Sequence, residues 1–178
     1  ARTFTVDAAG FAGQYYSRAA FDGEGVWIAY AKRETAQSGT PDIWATRIGC
    51  DGAALVAPFK VSTSAIDIAE GFPNLAVLED DVYIVWTETT GVGNNGSMMR
   101  SFRRDGTPNQ QQAVDATPRD TRGHALSALV WETDVAALPG GGAVIAASFF
   151  SEPSETFQVV LQRVGRGGTT MGSAMQVF

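Results

Sequence analysis

Three stretches of this chain repeat one another in order. Val26-Trp-Ile-Ala-Tyr30, Asp51-Gly52 and Phe59-Lys-Val-Ser-Thr63 return as Val82-Tyr-Ile-Val-Trp86, Asp105-Gly106 and Ala113-Val-Asp-Ala-Thr117. They return again as Ala143-Val-Ile-Ala-Ala147, Gly167-Gly168 and Met175-Gln-Val-Phe178. A unit of about 50–60 residues built from short strands cannot bury its apolar face alone and must stack on its neighbours. Such a period predicts β-propeller blades of four antiparallel strands.

The second copy reads most cleanly. Phe72–Leu78 is a short apolar strand with Pro73 near its start, where a missing N–H is tolerated. Glu79-Asp80-Asp81 is a turn, and Val82–Trp86 is the near-continuous apolar run of a strand covered on both faces. Ser97–Phe102 alternates, Asp105-Gly106 is a hairpin turn, and Gln112–Ala116 closes the unit as a more polar outer strand. No stretch carries a capped 3.6-residue apolar period, so the chain reads as all-β. The expected organisation is a single partial propeller ring. It has an orphan outer strand at 2–8, blades at 14–64, 71–117 and 131–178, and an inserted connection at 118–130. The orphan strand follows from matching Phe4-Thr-Val-Asp-Ala8 to Phe59–Thr63. Three blades are too few to close a ring. Phe4, Thr5, Val6 and Asp7 are therefore expected to pair in trans, with another protein chain or with missing blades of the same precursor.

Composition narrows the function classes. The 178 residues carry a net charge of −6, which argues against nucleic acid or an anionic membrane as partner. The basic cluster Arg100, Arg103 and Arg104 reads as a solvated edge. No apolar run approaches the roughly 20 residues of a membrane span, so a membrane-spanning role is not expected. One cysteine, Cys50, and one histidine, His124, cannot build a disulfide framework or a Cys/His metal site, and no cofactor motif is present. The chain opens Ala1-Arg2-Thr3, as a processed or trimmed product does.

Read together, Arg18-Ala-Ala-Phe-Asp-Gly23, Val26–Tyr30, Asp42-Ile-Trp-Ala-Thr-Arg-Ile48, Asp51-Gly52 and Phe59–Thr63 resemble the repeats of large exported bacterial β-propeller proteins and lipoproteins. The second copy matches through Phe72-Pro-Asn-Leu-Ala76, Trp86-Thr-Glu88 and Asp105-Gly106. The third departs most, lacking the Pro and the Trp, with Gly167 in place of the turn Asp. The resemblance implies a propeller fold and an exported location (periplasmic, cell surface or secreted). It implies no particular chemistry.

Candidate site residues follow from side-chain type and position. Trp27, Tyr83, Trp86 and Trp44 lie inside strands and read as core between blades. Tyr15, Tyr16 and Phe72 sit where loops enter strands, where aromatic rings stack on sugars. The connection before Trp131 interrupts the repeat and mixes Arg119, Asp120, Arg122 and His124 with an apolar segment ending at Trp131, the composition of a partner-docking insertion. Asp67, Glu70, Glu88, Glu152 and Glu155 read as solvated loop carboxylates, since spacing assembles none of them into the paired acids of a glycosidase. A lone His124 without a Gly-x-Ser-x-Gly elbow does not make a hydrolase triad. The leading expectation is a non-catalytic, exported interaction or scaffold module within a larger assembly. The alternative is a carbohydrate-binding propeller, and after it part of a glycan-processing enzyme.

Overall fold

A computed structural model describes residue 6 and residues 14–33, 40–64, 68–90, 94–119, 121–122, 130–151 and 156–177. The described residues form twelve strands and no helix. Sheet 1 comprises β1 (Gln14–Phe21), β2 (Gly25–Lys32), β3 (Asp42–Gly49) and β4 (Ala54–Lys60). Sheet 2 comprises β5 (Ala69–Leu78), β6 (Asp81–Thr90), β7 (Asn94–Arg103) and β8 (Val114–Asp115). Sheet 3 comprises β9 (Val130–Ala137), β10 (Ala143–Ser151), β11 (Thr156–Val164) and β12 (Thr170–Gln176). Each sheet is a four-stranded antiparallel meander in chain order.

Turn chemistry repeats with the strands. The third and fourth strands of each sheet are joined by one turn in which a glycine N–H donates three residues back: Gly52 to Gly49, Gly106 to Arg103 and Gly168 to Gly165, each at 2.9 Å. Asp51 and Asp105 accept from the amides of Ala53 and Thr107 at 3.0 and 2.8 Å, an Asx turn. Sheet 3 lacks that aspartate, and Gly168 still holds the turn with a φ of 79°. A Cβ there would collide with the Val114 side chain of sheet 2, so this glycine also sets how closely the sheets approach.

The sheets stack in sequence through apolar faces set by the two-residue strand period. Trp27, Ala29, Ala31, Ile43, Ala45 and Val61 of sheet 1 meet Leu75, Val82, Ile84, Trp86 and Phe102 of sheet 2. The opposite face of sheet 2, with Tyr83, Val85, Met99 and Ala116, meets Val135, Ala143, Ile145 and Val164 of sheet 3. Polar ties cross the second junction: Arg166 bonds Asp81 at 2.7 Å, and the Gly142 amide donates to the Tyr83 hydroxyl at 2.6 Å.

Several sequence expectations change here. The first strand of sheet 2 begins at Ala69 rather than Phe72, because it carries a bulge that breaks the two-residue pattern. The fourth strand of sheet 2 shrinks to Val114–Asp115. Trp44 is not core between sheets: it is half-buried on the side of sheet 1 turned away from sheet 2, with the Lys32 ammonium 4.6 Å above its ring. Arg100 is not a solvated edge. Its guanidinium donates to the carbonyls of Val61, Gln110 and Gln111, stitching sheet 2 to sheet 1.

Candidate functional site

The first strands β1, β5 and β9 of the three sheets lie side by side. All three are bulged near their starts. In β1 the register slips between Tyr15 and Ser17, which places Tyr16 in the bulge; in β5 it slips between Gly71 and Asn74, around Phe72 and Pro73. Counting from Val26 and Val82, Tyr16 and Phe72 occupy the same position of the repeat. In β9 the slip falls between Glu132 and Val130, so Trp131 occupies the bulge.

Tyr16 and Phe72 share an unusual backbone. Their φ values are 48° and 52°, the left-handed region that costs a bulky L-residue about 1–2 kcal/mol. Both side chains point into solvent, 55% and 45% exposed, with ring centroids 4.3 Å apart and planes tilted by 36°. Strain that presents two aromatic rings to water does nothing for the core, and strain of this kind concentrates at binding sites.

Tyr16 also lines a cavity of about 440 Å3 whose other walls include Ser17, Arg18, Ala19, Ile28, Tyr30 and Val6. Arg18 reaches Glu132 of β9 at 3.8 Å, and Asn74 donates to the Thr133 carbonyl at 3.5 Å, so polar groups bridge the three first strands beside the ring pair. The cavity offers an aromatic face, a guanidinium and a hydroxyl, and the Glu132 carboxylate stands 3.8 Å from that guanidinium. That is the mix of a small-ligand site.

The remaining predicted residues fall elsewhere or outside the described residues. Tyr15 pairs with Ala31 through the backbone. Arg119 belongs to the link between sheets 2 and 3: its amide donates to Gln162, its carbonyl accepts from Ala174, and its guanidinium bonds Asp115 at 2.9 Å. It is therefore tied to the outer strand β12 rather than to the ring pair. Arg122 is exposed. Asp120, His124, Phe4, Thr5 and Asp7, with Asp67, Glu152 and Glu155, lie outside the described residues, as does the Trp131 side chain. Val6 lies in a bend.

Glu70 corrects the reading of solvated loop acids. It sits in β5 at 2% exposure, its Oε2 accepting from the Ile43 amide of sheet 1 at 3.2 Å and its Oε1 buried without a partner. Burial pushes its carboxyl up to about 7, against the hydroxyls of Ser62 and Ser64, which lower it. A second buried acid, Asp22, lies between β1 and β2. Although burial raises it, the Arg47 guanidinium at 2.7 Å and the amides of Gly25 and Glu24 hold its carboxyl down at about 2. Neither burial has a local signal in the sequence, because the partners reached across the fold, Ile43 for Glu70 and Arg47 for Asp22, lie 27 and 25 positions away.

No protein-family model matches the sequence, and no curated relative does. Among solved structures the chain is similar to an N-acetylgalactosamine deacetylase from F. plautii, solved in complex with blood group B trisaccharide. The TM-score is 0.55 at 12% identity, covering 92% of this chain and 51% of that one. At that identity the likeness is one of fold, and the chain spans about half the length of that neighbour. Among the described residues no helix is long and apolar enough to cross a membrane, and no three acidic, Cys or His groups gather as a metal site.

Proposed function

We propose that the three sheets are blades of an exported bacterial β-propeller and that the converging starts of their first strands bind carbohydrate. The observation that carries this reading is the Tyr16–Phe72 pair, exposed, adjacent and held on left-handed backbone. An aromatic face stacks on the C–H face of a sugar ring, and neighbouring polar side chains then select hydroxyl positions. Ser17, Arg18 and Glu132 stand where those hydrogen bonds are needed, and the cavity volume falls within the ordinary range for small-molecule sites. The structural neighbour described in complex with a trisaccharide supports the same substrate class. The repeat resemblance, which implies export, is consistent with glycans as ligands. The activity proposed is binding rather than bond cleavage.

A glycan array followed by calorimetry tests this. The expected result is saturable binding that weakens at least about tenfold, or 1.4 kcal/mol, in Tyr16→Ala and in Phe72→Ala. Retention of no glycan, or binding indifferent to both substitutions, overturns the reading. Turnover of a chromogenic glycoside by purified protein would replace binding with catalysis. A second reading, an interaction module within a larger assembly, is favoured by the apolar side chains on the two outermost sheet faces.

A further inference from the structure

The Tyr16–Phe72 pair belongs to a longer row. Each first strand carries a bulge, and each bulge holds an aromatic residue: Tyr16 in β1, Phe72 in β5 and Trp131 in β9. Aromatic residues are 10% of the chain, so composition does not account for three bulges holding three of them. The strand β5 packs against both β1 and β9, so the three positions follow one another across the sheets in the order 16, 72, 131. In β9 the bulge falls one ladder pair nearer the strand start than in β1 and β5, so the row slants outward at its sheet 3 end. A bulge leaves a residue outside the ladder, and bulges gather at rims and beside functional sites.

The row is braced, and it continues into the cavity. Two residues inward of Tyr16, Arg18 reaches Glu132, the residue after Trp131, at 3.8 Å. Two residues inward of Phe72, Asn74 donates to the Thr133 carbonyl at 3.5 Å. These ties join β1 and β5 to the same stretch of β9 and hold the three bulges in one arrangement before any ligand arrives. At the other end, Tyr16 is a wall of the cavity of about 440 Å3, together with Ser17, Ile28 and Tyr30. A cavity of that volume suits a ligand of drug size rather than a single sugar ring. Because the rings of Tyr16 and Phe72 stand only 4.3 Å apart, they present one stacking place between the cavity and Trp131.

We infer that this track takes a linear oligosaccharide of at least three units, one in the cavity, one over the Tyr16–Phe72 pair and one at Trp131. The inference rests on the carbohydrate reading above and names the class of glycan, a chain rather than a single sugar. Aromatic places in series suit successive rings of one chain, since each stacking contact is modest. Once one ring is seated, the next binds intramolecularly, and the affinities compound.

Calorimetry with the linear pentasaccharide that the parent retains best on a glycan array, and with its fragments of one to four units, tests the inference. Affinity is expected to rise with each unit up to three, by at least about tenfold from one unit to three. Trp131→Ala is expected to bring the three-unit fragment down toward the affinity of the two-unit one and to leave the one-unit fragment unchanged. Trp131→Phe is expected to keep the rise with length, and circular dichroism checks that both variants fold. The rise with length in the parent needs no substitution, so it decides the matter even if a variant fails to fold. Equal affinity for one and three units, with Tyr16→Ala abolishing both, overturns the inference and leaves the carbohydrate reading standing. So does an array on which only monosaccharides are retained. A folded Trp131→Ala that keeps the three-unit affinity overturns the inference too, and retention of no glycan removes both readings.

Discussion

Replacing Glu70 by Gln is expected to stabilise this protein at neutral and alkaline pH and to flatten its stability profile. The Glu70 carboxyl lies between sheets 1 and 2, opposite Glu88 across the β5–β6 ladder and near Asp42, itself paired with Lys60 at 2.8 Å. Burial raises its pKa from 4.5 to about 7. A carboxyl whose folded pKa lies above its unfolded value contributes fully below the unfolded value, near pH 4.5, and loses that contribution as pH rises through about 7. A rise of this size corresponds to about 3 kcal/mol. Glutamine keeps the shape and the acceptor for the Ile43 amide, puts an NH2 in place of the unpaired oxygen, and carries no charge to desolvate. Urea unfolding at intervals from pH 4 to 9 is the assay. The parent is expected to lose about 3 kcal/mol across the window while Glu70→Gln stays level, with a melting point about 6–12 °C above the parent at pH 8. Every other titratable group is common to the two proteins, so the difference between the profiles isolates Glu70. Parallel profiles, or a variant less stable at pH 8, would refute the reasoning.

Asp22→Ala is expected to cost about 3 kcal/mol in urea unfolding, because it strands the buried Arg47 guanidinium with only the exposed Glu24 as partner. Since the folded pKa of Asp22, about 2, lies below its ordinary 3.8, the parent holds this contribution above pH 4 and loses it as pH falls through about 2; an acid titration of the alanine variant should lack that loss. Tyr16→Gly is expected to leave stability within about 1 kcal/mol of the parent, since relief of the left-handed backbone offsets the lost ring contact, while abolishing glycan binding by calorimetry. A loss well beyond that, with binding intact, would make the aromatic pair a structural element instead.

The sequence by itself determined the strands, their turns and their threefold order. Those features are local: a two-residue apolar alternation and an Asp-Gly turn act within a few residues, so Val82–Trp86 and Asp105-Gly106 are legible as letters. The candidate aromatic residues were legible too, as rings at strand entries, but not the bulges that place Tyr16 and Phe72 side by side. A bulge is a relation between two strands, and Tyr16 and Phe72 stand 56 residues apart until sheets 1 and 2 stack. Only the tertiary structure decided which charged residues are buried. Glu70 and Arg100 look like surface residues because burial depends on what packs above them, here the Ile43 amide and the Val61 carbonyl of the neighbouring sheet. The same stacking left Phe21 and Met175 exposed, although their counterparts Val77 and Val114 pack between sheets. A periodic sequence writes every unit alike, and only position in the stack distinguishes the ends from the middle.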